Sequence, residues 1–412
     1  MAERRSVAAD VVGSNPTSRP KFLSTAPILT SRSTPGPKLD PQHNVTPAFT
    51  GARPAWLTDF KPRQWLANGH LQTVIGNYLP RPDHLPAPLT EIVEVAPATG
   101  EIASSNLICL CHWQPEPVRA TALTAIIVHG LEGSARSQYV IGNANKLWAA
   151  GCNIVRMNMR NCGGAKYWDG ERPQDVYQPG SSSLDPDSIC PTLYHSGLSG
   201  DVRAVARHFV RTRGVSQVAI IGYSMGGNLV LKLAGELGDD PMPEIRAAVA
   251  VSPAADLAAS ADMLHKTVNR GYEWKFLRAL QRHFLHKVDL YPQRYSAARV
   301  YNLHSIREFD EYITAYYAGF RNADDYYYCS SAARVVDRIP IPTLVLHALD
   351  DPFIRLLPQT CTKLRNNPNV SLIETPHGGH CAFLGDADPA ANDDGYWAEQ
   401  TALRFLRVVL EL

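Results

Sequence analysis

Gly222-Tyr223-Ser224-Met225-Gly226 sets a serine between two glycines, and the residues on either side decide what that serine can do. Val218–Ile221 ahead of it is a short apolar run that predicts a buried strand, and Asn228–Ala234 behind it is rich in helix formers with apolar residues at helical spacing. Strand, G-x-S-x-G and helix together describe a nucleophile elbow, in which a strained serine is lifted clear of a sheet. A serine hydroxyl attacks poorly until a base removes its proton, so a histidine must reach it and an acid must orient that histidine. In elbow architectures the order along the chain is serine, acid, histidine. The segment Ala348-Leu349-Asp350-Asp351-Pro352-Phe353 offers two adjacent carboxylates after a predicted strand, and His377-Gly378-Gly379-His380 offers two histidines after the last. Neighbouring carboxylates point different ways, so one holds the imidazole. Asp351, with its Asp-Pro step, is expected to do so; Asp350 is the alternative register and otherwise structures the turn. His380, between two glycines and Cys381-Ala382-Phe383, is expected to be the base, with His377 competing. Negative charge on a reacting carbonyl oxygen needs fixed donors. Met225 N–H at the helix start is one, and Leu131 N–H in His129-Gly130-Leu131-Glu132-Gly133-Ser134 is expected to be the other.

These groups need a sheet to carry them. Apolar runs predict strands at Glu91–Val95, Asn106–Trp113, Ala125–Val128, Asn153–Met157, Val218–Ile221, Ala247–Val251, Thr343–His347 and Ser371–Glu374, the first two an antiparallel edge pair. Helical spacing predicts helices at Gln138–Ala150, Gly200–Thr212, Asn228–Leu237, Pro358–Asn366 and Tyr396–Leu410. This alternation predicts an α/β fold, a mostly parallel eight-stranded sheet with helices on both faces. Two segments interrupt it. Tyr167–Ser196 is a Pro-, Gly-, Ser- and Asp-rich excursion. The aromatic-rich 256–338 is expected to be a helical cap insertion, because it enters at the sheet edge where such folds bind ligands. Residues 1–54, rich in Pro, Ser, Thr and Arg without periodicity, are expected to be a disordered extension ahead of a domain over 55–412.

Composition removes several classes of function. The 412 residues carry a net charge of +1, with 45% hydrophobic and 19% charged, which gives no electrostatic footprint for nucleic acid. No apolar run is long enough for a membrane span and no signal peptide opens the chain, so peripheral membrane contact is the most that is expected. Eight scattered cysteines without C-x-x-C pairs read as buried free thiols in a reducing, cytoplasmic compartment. The chain has no phosphate loop, zinc-spaced cluster or dinucleotide fingerprint, so no cofactor and no metal are expected. His283 and His286, three apart without a third ligand nearby, read as surface or packing residues, and His195 and His347 as buried satisfied side chains.

Beyond the fold pattern, Trp65-Leu66-Ala67-Asn68-Gly69-His70-Leu71-Gln72-Thr73, His129–Ser134, Met157–Gly164, Tyr194-His195-Ser196-Gly197, the elbow with Gly227-Asn228, Ala348–Phe353 and Gly378-Gly379-His380 form a specific set. On these the chain resembles the YheT-like α/β-hydrolases, which include the eukaryotic ABHD1 and ABHD3 type, over about residues 57–410. The resemblance implies the α/β-hydrolase fold and a triad of Ser224, Asp351 and His380. It also implies a cofactor-independent carboxylesterase or lipase acting on acylglycerols, phospholipids or short-chain esters. The chain departs from the pattern at Asn161, where Arg-Gly-Cys is usual, and in the 167–196 excursion. Acyl transfer through the same acyl-enzyme is one rival reading. A non-catalytic hydrolase-fold protein that binds a lipid or a partner is the other.

Overall fold

The computed structural model describes residues 54–163, 185–388 and 393–412, so residues 1–53 of the expected extension and most of the 167–196 excursion lie outside it. Its sheet has eight strands: β1 (Leu89–Ala96), β2 (Ser105–His112), β3 (Thr124–Val128), β4 (Asn153–Met157), β5 (Val218–Tyr223), β6 (Ile245–Val251), β7 (Thr343–Ala348) and β8 (Val370–Thr375). They lie in the order β1-β2-β4-β3-β5-β6-β7-β8. β1 and β2 are antiparallel, β2 joins β4 antiparallel, and all later pairings are parallel.

The parallel centre explains the sequence pattern. Every residue of β3, β4, β5 and β7 is buried, because helices cover both faces of a parallel sheet. Alternate residues divide between the two layers. Ile126 and Val128 pack with Val202, Phe209, Leu229 and Leu233 of helices Ser199–Arg213 and Met225–Glu236. Ala125 and Ile127 pack with Val140 and Leu147 of Gln138–Ala149 and with Phe405 and Leu406 of Trp397–Leu410. Ser199–Arg213 stops at Gly214, which takes the left-handed conformation (φ 65°) that closes a helix without steric cost.

Between β6 and β7 the chain forms a run of helices, chiefly Leu257–Leu264, Arg270–Leu290 and Ala323–Ser330, with a π-helical turn at Asp310–Ala315. Leu277, Phe284, Phe309, Ile313 and Tyr326 build a separate apolar cluster that Ala254, Phe353 and Ile354 tie to the turns after β6 and β7. The sequence reading missed a ten-residue helix ahead of β1. Gly69–Tyr78 is a helix, opened by Asn68, whose side chain accepts the amides of His70 and Leu71. Among the described residues no helix is long and apolar enough to cross a membrane.

Candidate active site

β5 ends at Ser224, which adopts φ 56° and ψ −119°, a conformation an L-residue holds only when its surroundings enforce it. Those surroundings are backbone contacts that leave no room for side chains. A Cβ on Gly222 would lie 2.2 Å from the carbonyl oxygen of Gly226, and one on Gly226 would lie 2.3 Å from that of His129. Strand and helix therefore meet backbone to backbone. Ser224 N–H donates to Val251 at 2.9 Å, while its carbonyl accepts Asn228 N–H at 3.1 Å and Ala254 N–H at 3.2 Å. The serine is fixed from three directions.

Of the two carboxylates after β7, Asp351 is the one that meets an imidazole: its Oδ2 lies 2.8 Å from His380 Nδ1. Its Oδ1 accepts the amides of Phe353 at 3.1 Å and Ile354 at 2.9 Å, so a fully buried acid is hydrogen-bonded on both oxygens. Burial opposes its charge, but the facing His380 and these donors hold the carboxyl below the usual range. Burial likewise opposes the imidazolium of His380, yet the Asp351 carboxylate, with Cys381 behind it, holds the ring above the ordinary histidine range. Asp350 instead accepts Gly379 N–H at 2.9 Å and stands 3.4 Å from His377, tying one turn to the other.

Ser224, Leu131 and Met225 line one cavity. Gly130 packs against the serine so closely that a Cβ on it would lie 3.0 Å from Ser224 Cβ. The loop that carries Leu131 is held by two groups the sequence reading left without a role. His129 is buried as a neutral ring: Nδ1–H donates to the Gly130 carbonyl at 2.7 Å, and Nε2 accepts Met159 N–H at 3.0 Å. Burial takes its pKa down to about 4, in keeping with that pairing. Tyr139 Oη accepts Gly130 N–H at 2.9 Å.

The rest of the cavity is mostly apolar, with Leu193, Leu257, Leu264, Phe276, Leu280, Phe309 and Phe353 in its wall. Tyr194, His195, His283 and Asp310 are among the polar groups that break that surface. Glu132, at φ 56°, receives Tyr194 Oη and stands 3.0 Å from His283 Nδ1, so His283 is an ion-pair partner rather than a packing residue. Asp310 accepts Tyr327 Oη at 2.7 Å and Thr314 Oγ1 at 2.8 Å, and burial raises its carboxyl to about 6. His195 accepts Gly197 N–H at 3.1 Å inside an aromatic edge contact with Phe320, and burial keeps it neutral.

Asn161 has φ 64°, a value glycine takes freely and asparagine tolerates better than most residues; its amide donates to Cys190 at 3.0 Å. Its neighbour Arg160 grips Asp201 with both prongs, at 2.7 and 2.6 Å. Among the described residues, Asp185, Asp187 and His286 bring donor atoms within 4.8 Å of one another, as a metal site would. The Lys287 ammonium stands 3.6 Å from Asp187, so a cation already faces that cluster.

Comparison with known proteins identifies the family of the fold. Residues 126–387 match the family model described as the alpha/beta hydrolase fold. The proposed esterase YheT of Escherichia coli K12 is 31% identical over 334 residues, covering 79% of this chain and 87% of that protein. The phospholipase ABHD3 of Bos taurus is 25% identical over 68% of this chain, which spans 61% of its length. A monoacylglycerol lipase of Saccharomyces cerevisiae is 25% identical over 69% of this chain and 58% of its own. With an elbow serine, a buried Asp–His pair and a sheet of this order, the chain belongs to the α/β-hydrolase fold family, in its YheT-like group.

Proposed function

We propose that this protein is a serine hydrolase that cleaves carboxylic esters through an acyl-enzyme. The observation that carries the reading is the 2.8 Å Asp351–His380 pair, presented on the loops that follow β7 and β8, together with a serine held in the strained elbow conformation at the end of β5. His380 Nδ1 is engaged by Asp351, which leaves Nε2 to take the Ser224 proton as Oγ attacks the ester carbon. Leu131 and Met225 amides then receive the oxyanion; the Met225 amide opens a helix, where both the free N–H and the helix dipole favour an anion. Protonated His380 passes its proton to the departing alcohol, and a water activated by the same ring releases the acid.

The substrate class is a short-chain ester or an acylglycerol or other lipid ester. Support comes from the apolar cavity wall beside Ser224 and from relatives named as esterase, phospholipase and monoacylglycerol lipase. In this reading 256–338 is a cap, since Leu257, Leu264, Phe276 and Phe309 supply much of that wall. Eight free thiols, six of them buried, support a reducing, cytoplasmic compartment.

The test is Ser224→Ala assayed on a p-nitrophenyl ester. Activity should fall by several orders of magnitude with the fold intact. Retention of more than a few per cent would remove Ser224 from the mechanism, and with it this assignment.

A further inference from the structure

Two helices next to the Asp351–His380 pair turn an unusual face to solvent. On Gly69–Tyr78, Gln72 and Thr73 are buried, while Leu71, Val74 and Tyr78 are exposed at helical spacing. On Arg270–Leu290, Glu273, Leu277, Leu280 and Phe284 are buried, while Arg270, Trp274 and Arg278 are exposed at four-residue intervals with Lys275 beside them. Each helix is preceded by a further exposed apolar side chain, Trp65 at 64% and Val268 at 65%, and Trp274 is exposed to 64%.

The two faces adjoin. Lys275 Nζ donates to Tyr78 Oη at 2.6 Å, and the His70 and Tyr272 rings stack at 5.8 Å. Tyr272 in turn packs on Phe353, and Phe353 on His380 at 4.3 Å between centroids, so the face lies two aromatic layers above the imidazole.

The two segments that form it carry almost only positive charge. Residues 61–82 contain no acid, and 266–288 contain one, Glu273, which is buried and bonded to His265 and the Ile306 amide. Lys266, Arg270, Lys275 and Arg278 have no carboxylate partner among the described residues. A mixed apolar patch with exposed tryptophans and cations that no carboxylate neutralises matches what an anionic lipid surface offers. Indoles settle at the headgroup level, aliphatic side chains enter the acyl boundary, and Lys and Arg meet lipid phosphates.

We propose that this face docks the protein on anionic membranes. Its purpose, bringing lipid esters to the cavity, rests on the ester-hydrolase reading; the docking itself does not. The experiment uses the full chain carrying Ser224→Ala, so that no lipid is consumed. It is sedimented with vesicles of phosphatidylcholine alone and of phosphatidylcholine with phosphatidylglycerol. Binding should favour the anionic vesicles and weaken as salt rises. Trp274→Ala should lower the partition coefficient by about tenfold, and Lys275→Glu with Arg278→Glu by more than tenfold, at roughly fivefold or more per charge.

In the Ser224-containing chain these same variants should leave hydrolysis of a soluble p-nitrophenyl ester unchanged. Failure of the anionic vesicles to bind the protein overturns the proposal, as does equal binding by the charge-reversed variant. So does a dimer that Trp274→Ala dissociates with no vesicle binding, since the face would then belong to a second copy. Salt-sensitive vesicle binding together with an active Ser224→Ala enzyme would keep the docking face and discard the hydrolase reading.

Discussion

At the scale of single residues, the paired carboxylates show how one position changes what a side chain meets. Asp351 is buried against His380, whereas Asp350 spends its carboxylate on the Gly379 amide. Asp351→Asn should therefore lose about 10³–10⁴ in kcat on an activated ester, because an amide can neither hold the working tautomer nor stabilise the imidazolium. Asp350→Asn should lose roughly tenfold through a looser turn. The pH profile separates the two roles further. Only the neutral imidazole accepts the serine proton, so activity falls as pH drops through the His380 pKa, which Asp351 holds up against burial. Removing that charge lowers the pKa, and the acid limb of kcat/KM should move to lower pH in Asp351→Asn and stay in place in Asp350→Asn. If Asp350→Asn is the inactive enzyme, the pairing read here is off by one residue. That Asp351 rather than Asp350 faces the imidazole was legible in the sequence, because the Asp-Pro step marks it. The clamp on Glu132 was not, because His283 lies 151 residues away.

At the scale of elements, the strands were legible and the helix Gly69–Tyr78 was not, for the same physical reason. Parallel strands buried on both faces must be apolar throughout, and such runs stand out. Gly69–Tyr78 buries polar residues, and what they bind lies at the far end of the chain. Thr73 Oγ1 accepts the His380 amide at 2.8 Å across 307 residues, and Gln72 exchanges two 2.9 Å hydrogen bonds with the backbone of Leu384. The Gly-His-Leu-Gln-Thr motif, quoted above only as a resemblance, thus positions the loop that carries the imidazole. Thr73→Val keeps the volume but strands a buried N–H beside the base, at a cost of about 1–3 kcal/mol. The expected outcome is a kcat about tenfold lower with KM little changed, and an acid limb that stays where it is. A change confined to KM would mean that the helix shapes the binding surface and leaves the base in place. The 256–338 insertion was legible as helical and aromatic, yet the acid at Asp310 drew no notice, since its donors Tyr327 and Thr314 declare themselves only on the folded π-helical turn.

At the scale of the whole molecule, the segment ahead of β1, the helix Gln138–Ala149 and the last helix are joined by a charge network that makes no contact with the Asp351–His380 pair. Glu399 on the last helix receives both prongs of Arg81, at 3.0 and 2.9 Å, and the ammonium of Lys146 at 2.7 Å. Asp394 adds a second carboxylate, 2.9 Å from Arg81 and 2.6 Å from Lys146, and the Arg81 guanidinium lies 3.3 Å from the Tyr396 ring centroid. Three stretches that cover one face of the sheet therefore depend on one acid. The side chains of Arg81, Lys146 and Glu399 are 7%, 12% and 4% exposed, so water compensates little if one is lost. Burial raises the Glu399 carboxyl, and the two cations offset only part of that. Glu399→Ala leaves two largely buried cations sharing the half-exposed Asp394. Breaking a buried pair from one side costs about 3–5 kcal/mol, more than its formation gains, because the stranded charge cannot regain its hydration. Urea denaturation should show a loss of that size, while kcat on a soluble ester at low temperature stays near the parent value, since no member of the network touches the Asp351–His380 pair. A loss below about 1 kcal/mol would place the network among solvated surface pairs and leave the docking of the last helix to Phe405 and Leu406 alone.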